Sequence, residues 1–177
     1  MIMLILLFIF QIFFGEVLPY VPDISNSMSL VGDVQTNLFA SDAVIKNATI
    51  EFSALKPPVR FDAQVAHTPA QRARGLMYKN FLGKNKGMLF VFDDDAPRNF
   101  WMKNTLIPLD MIFADETGTV VSVSENVRPC AEVLRVTKAG VCPSYSSVFP
   151  ARYVLEINAG LAQAHHIQAG SRMDIRI

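Results

Sequence analysis

The densest set of groups that could do chemistry lies in Arg98-Asn99-Phe100-Trp101-Met102-Lys103-Asn104-Thr105, followed by Leu106-Ile107-Pro108-Leu109-Asp110. A tryptophan beside a lysine and an asparagine can stack on a sugar or other ring while hydrogen-bonding its edge. If this stretch is extended, alternation puts Trp101, Lys103 and Thr105 on one face and Phe100, Met102 and Asn104 on the other. Arg74 offers a guanidinium fork to a carboxylate or phosphate, or else ties its own segment to Asp110 or Glu156. The candidate ligand-binding set is therefore Arg74, Trp101, Lys103, Asn104 and Asp110. The competing reading makes Trp101 a packed core aromatic and pairs Lys103 with Asp110 or a neighbouring acid.

Cys130 and Cys142 are the only cysteines, flanked by Pro129 and Pro143. In an oxidising compartment they would close one loop as a disulfide, worth roughly 3 kcal/mol for a loop of this size. The alternative, a reactive thiol or metal ligand partnered by His67, His165 or His166, lacks any C-x-x-C or H-x-x-x-H spacing. Asp93-Asp94-Asp95 is consecutive rather than alternating, so it reads as a solvated turn and not a calcium loop. No G-x-S-x-G nucleophile elbow surrounds Ser144, Ser146 or Ser147, and no glycine-rich phosphate loop is present. The motifs thus call for no metal and no cofactor, and assign no catalytic residue.

Positioning these groups requires a fold, and 177 residues suit a single domain. Lysine plus arginine and aspartate plus glutamate number 16 each, so the basic surplus that drives nucleic-acid binding is missing. Residues 1–14 are apolar except Gln11. As a helix they would span about 21 Å, short of the ~30 Å hydrocarbon core, which favours a signal-peptide apolar region over a spanning anchor. No Lys or Arg precedes the run and no clear cleavage site follows it, so an uncleaved anchor stays open. Any membrane association would run through this segment alone. Residues 16–49, with Pro19, Pro22 and a polar cluster, read as a flexible tether, and residues 50–177 as the domain.

Within that domain, alternation predicts strands over 49–52 and 59–65. Thr68 and Pro69 start a short helix over 70–76, carrying Arg72 and Arg74. Met88 to Phe92 is an apolar run broken by Asp93, Asp94, Asp95 and Pro97. Leu109 to Ala114 and Thr119 to Ser124 form a hairpin around Asp115-Glu116-Thr117-Gly118, and Tyr153 to Ile157 is a further strand. A helix over 159–166 and a strand over 171–177 complete the chain. The sum is an α+β domain: a curved, mainly antiparallel β-sheet or partial barrel with short helices.

Five segments, Arg74-Gly75-Leu76-Met77, Gly87-Met88-Leu89-Phe90-Val91-Phe92, Phe100 to Thr105, Ile107 to Phe113 and Tyr153 to Gly160, occur in an order that resembles a known family. It is the uncharacterised prokaryotic family called domain of unknown function 192, or uncharacterised protein family 0127, and the resemblance runs from about Phe61 to the C-terminus. The resemblance implies a compact α+β fold and, because members are often preceded by a signal or membrane segment, export to the periplasm or beyond. It implies no activity, substrate or catalytic residue. Three functions remain: a non-catalytic cell-envelope module binding a small polar ligand or glycan, a structural or accessory protein-interaction domain, and a hydrolase-like enzyme using Asp110, Lys103 or Cys142. The oligomeric state is open.

Overall fold

The computed structural model describes residues 46–138 and 140–177, so the leader and nearly all of the expected tether lie outside the described residues. Strand β1 (Lys46–Phe52) and strand β2 (Val59–Ala66) pair antiparallel, and their alternation is real. Ala48, Ile50 and Phe52 from one strand, and Val59, Phe61, Ala63 and Val65 from the other, are buried on a shared face. Helix α1 (Pro69–Arg74) then carries the chain across to β3 (Lys86–Trp101), which lies parallel to β2. Strands β4 (Leu109–Ala114) and β5 (Val120–Val127) form the expected hairpin. Its turn is closed by the Asp115 carboxylate, which accepts the Thr117 and Thr119 amides at 2.9 and 3.0 Å. Helix α2 (Cys130–Thr137), β6 (Ser144–Asn158), α3 (Leu161–Ala164) and β7 (Asp174–Arg176) follow.

The seven strands make one sheet in the order β5-β4-β6-β3-β2-β1-β7, antiparallel except at β2–β3. A bridge between Thr119 and Arg172 brings the two ends of the sheet towards each other, so the sheet curls without closing. The curl encloses one core, with Phe52, Phe61, Leu89, Ile112, Leu155 and Ile157 at its centre. The opposite face carries a second core around Met88, Phe90, Met102, Met111, Phe113 and Val154. Side chains two apart on β6 share a face, so Val154 and Glu156 belong to this second side. No helix among the described residues is long and apolar enough to cross a membrane.

The observed elements differ from expectation in several places. The acids at 93–95 and Pro97 do not end the strand: β3 runs on to Trp101 through a register shift between Val91 and Ala96. Extra residues at a bulge bend a strand without terminating it. Arg98 pairs with Asp94 at 2.8 Å and Arg152 with Asp95 at 3.1 Å, so opposite charges hold the bulge. The strand does stop after Trp101, where the Met102 carbonyl accepts the Thr105 and Cys130 amides at 3.2 Å each and Asn104 adopts a left-handed φ of 57°. Residues 102–105 are thus a turn, and the alternation expected to seat Trp101, Lys103 and Thr105 together does not exist. Helix α2 fills the region between the prolines, with Pro129 at its N-cap. The last helix is one turn, from Gly160 at its N-cap, φ 84°, to the left-handed His166 at φ 55°, and the last strand is only Asp174–Arg176.

Candidate functional site

Glu156 interrupts an otherwise apolar strand. Its register partners are Met88 on β3 and Met111 on β4, so the carboxyl stands between two thioether side chains on the second face of the sheet. The strands meet closely here, since a Cβ on Gly87 would lie 2.7 Å from the Glu156 carbonyl oxygen. Glu156 is 5% exposed, and no hydrogen bond or ion pair engages its carboxyl among the described residues. Burial without a compensating partner disfavours the charged form and pushes its pKa up to about 8. At neutral pH the group is therefore mainly a carboxylic acid, able to donate a hydrogen bond.

Above Glu156 lies a cleft of about 180 Å³. Thr105, itself 7% exposed, shares the lining, and its hydroxyl likewise has no side-chain partner among the described residues. Phe90 and Phe100 form an aromatic wall, packed edge to face at 4.9 Å. The other side is supplied by α1 and the turn that follows it. Thr68 caps α1: its hydroxyl accepts the Gln71 amide at 3.2 Å while the Gln71 side chain accepts the Thr68 amide at 3.2 Å. Gly75, at φ 46°, then turns the chain so closely over Phe90 that a Cβ would sit 3.1 Å from the ring.

This geometry puts Arg72 and Arg74 over the cleft in different conditions. The Arg72 guanidinium donates to the carbonyls of His67 and Val91 and lies 5.0 Å from the Phe92 ring centroid, so it is committed to the fold. Arg74 is exposed, lines the cleft, and makes no ion pair or side-chain hydrogen bond among the described residues. The expected tie from Arg74 to Asp110 or Glu156 is not made. Trp101 is 54% exposed and also lines the cleft, with the Lys103 ammonium 5.3 Å from its ring centroid. Asn104 closes the adjoining corner: its carbonyl accepts the Tyr78 amide at 2.9 Å and its side-chain amide lies 3.9 Å from the Met77 sulfur.

Of the residues singled out from sequence, Arg74 and Trp101 thus meet in one cleft, while Lys103 and Asn104 stand next to it. Asp110 does not join them. It is wholly buried, and its two oxygens accept the Asn126 amide at 2.7 Å and the Ala162 amide at 2.8 Å, fastening β5 and α3 to β4. It does not pair with Lys103. Cys130 and Cys142 form a disulfide. The groups that an enzyme reading would combine, Asp110, Lys103 and Cys142, therefore sit apart, one under backbone amides, one exposed and one oxidised. Sequence reasoning misses Glu156 and Thr105 as site residues; the available signal is the single acid inside Tyr153-Val154-Leu155-Glu156-Ile157. A larger groove of about 530 Å³ runs along β1 and β2, but none of its polar side chains is buried and its Lys86 and Asp62 pair with each other at 3.2 Å.

The fold recurs in solved structures. A protein from Sinorhizobium meliloti described as a "putative transcription regulator" is 30% identical, with a TM-score of 0.63 over 75% of this chain and 95% of that one. A protein of unknown function from Novosphingobium aromaticivorans is 31% identical, with a TM-score of 0.62 over 73% of this chain and 84% of that one. No curated protein matches the chain. Residues 51–175 match the family described as Uncharacterized ACR, and the chain belongs to that family, domain of unknown function 192.

Proposed function

We propose that this domain is a non-catalytic cell-envelope module, exported from the cytoplasm, that binds a small polar ligand or the end of a glycan in the cleft between α1 and β3. The observation that carries this reading is the floor of the cleft: two buried hydrogen-bonding side chains, Glu156 and Thr105, without protein partners among the described residues. Polar side chains that make no protein hydrogen bond and open onto a cleft suit a ligand that engages them. Half-exposed Trp101 supplies a stacking surface at the rim. The apolar leader and the Cys130–Cys142 disulfide support a place outside the cytoplasm, because structural disulfides persist in oxidising compartments.

Trp101 is the only tryptophan, so tryptophan emission reports on the rim of the cleft. A panel of small sugars, organic acids and amino acids should contain compounds that change the emission and raise the melting temperature of the domain, with both effects weakened in Arg74→Ala. A panel without any such response would defeat the binding reading. Export is tested separately by fusing residues 1–49 to a reporter enzyme that is active only outside the cytoplasm, where an inactive fusion would refute it.

A second reading, docking of a protein partner, is favoured by Val148 and Phe149, which are 70% and 57% exposed in β6, with Val148 at a φ of 63°. A β-branched residue in the left-handed region is strained, and an apolar pair presented this way is a plain contact surface. Its test is loss of partner capture in Phe149→Ser with ligand response intact.

A further inference from the structure

Resting on the cleft reading above, we propose that the ligand is a small hydroxy-carboxylate, a sugar acid in its glycan form, with its carboxylate on Arg74 and its hydroxyl oxygens on Glu156 and Thr105.

The charge pattern selects this class. The ionisable groups lining the cleft are Arg72, Arg74 and Glu156, and the neighbours of Glu156 along the sheet, Met88 and Met111, carry no charge. With the Glu156 carboxyl protonated, the cleft carries only positive charge. An organic cation, which the aromatic wall would otherwise suit, meets two guanidinium groups at the entrance and no carboxylate at the base. An anion meets Arg74, whose planar fork matches a carboxylate in bidentate geometry and has no carboxylate of its own. Arg72 adds field but is held by backbone carbonyls and Phe92, so Arg74 is the group free to engage.

The depth of the cleft sets the second half of the ligand. A purely apolar acid would leave Glu156 and Thr105 desolvated and unpaired, a cost that selects against it. Hydroxyl or carbonyl oxygens satisfy both, since a protonated carboxyl donates and a threonine hydroxyl donates or accepts. The cleft has a volume of about 180 Å³. That suits a three-carbon hydroxy acid or one sugar-acid ring. The sugar face has Trp101 beside it.

The test is Trp101 fluorescence titration with D-glucuronate and lactate, set against their uncharged counterparts D-glucose and lactamide, on the wild-type domain, Arg74→Gln and Glu156→Gln. Wild type should bind the two acids and prefer each over its counterpart at least tenfold, and Arg74→Gln, a change at an exposed and unpartnered residue, should abolish the preference. In wild type the affinity for the acids should fall about tenfold per pH unit above about pH 8, once Glu156 ionises. Glu156→Gln, which keeps a donor, should bind without that fall. Equal response to acids and uncharged counterparts, or a preference that survives Arg74→Gln, overturns the carboxylate assignment and leaves the cleft reading standing. A response to other members of the panel but not to these acids does the same. Silence towards every compound overturns both.

Discussion

Glu156→Gln tests the central physical claim, that a buried carboxyl is held neutral on the outer face of the sheet. The side chain goes from an ordinary value of 4.5 in the unfolded chain to about 8 in the folded one, with burial as the cause. Between those values the unfolded chain releases a proton that the folded chain keeps. Stability therefore declines as pH rises, by about 1.4 kcal/mol per pH unit. The contribution is fully present below about pH 4.5 and lost above about pH 8, roughly 4–5 kcal/mol in all. Glutamine has nearly the same shape and no charge to suppress, so the variant lacks this slope. Other carboxylates, such as Asp62 beside Lys86 and Asp94 beside Arg98, are held below their ordinary range but titrate alike in both proteins and cancel in the difference. For a domain of this size each kcal/mol moves the melting temperature by about 3–4 °C. The advantage of Glu156→Gln should thus widen by on the order of 10–15 °C between about pH 5 and about pH 8. Calorimetric melts of the two proteins across that range, without added ligand, measure it. Parallel melting curves would refute the claim that Glu156 is buried neutral.

Replacing Cys130 and Cys142 together by serine should cost roughly 3 kcal/mol in urea unfolding, the value expected for a loop of this length. It should also alter Trp101 emission, because the Cys130 amide bonds Met102 and Ser144 pairs with Trp101. Thr68→Ala removes the capping box of α1 and should cost about 1 kcal/mol of stability, again read by urea unfolding. Asp110→Ala strips two backbone amides of their acceptor and should cost roughly 2–4 kcal/mol while leaving the ligand preference unchanged, since Asp110 lies outside the cleft. Loss of ligand preference in a folded Asp110→Ala protein would contradict that placement.

Local patterning carried much of the fold. Alternation in β1 and β2, the Thr68-Pro69 helix start and the Asp115 to Gly118 turn each depend on neighbours within a few residues, and each formed as expected. The apolar strands and the two-residue cysteine inventory likewise pointed to a curved α+β sheet and one disulfide. Where β3 outran the expectation, one of the two deciding partners was distant in sequence. Asp94 and Asp95 remain in β3 because Arg98 and Arg152 neutralise them, and Arg152 is on another strand.

The candidate site shows the same division. Arg74 and Trp101 could be named from type and surroundings, because an exposed fork or ring advertises its chemistry. That Asp110 is structural and Glu156 is the acid of the cleft could not be read from either residue alone. Both are single acids within apolar strands, and both are buried. What separates them is that folding brings the Asn126 and Ala162 amides to Asp110, and brings only Met88, Met111 and an open cleft to Glu156. The sequence determined which strands form and which residues are chemically capable; the sheet order decided which carboxyl is satisfied and which is left for a ligand.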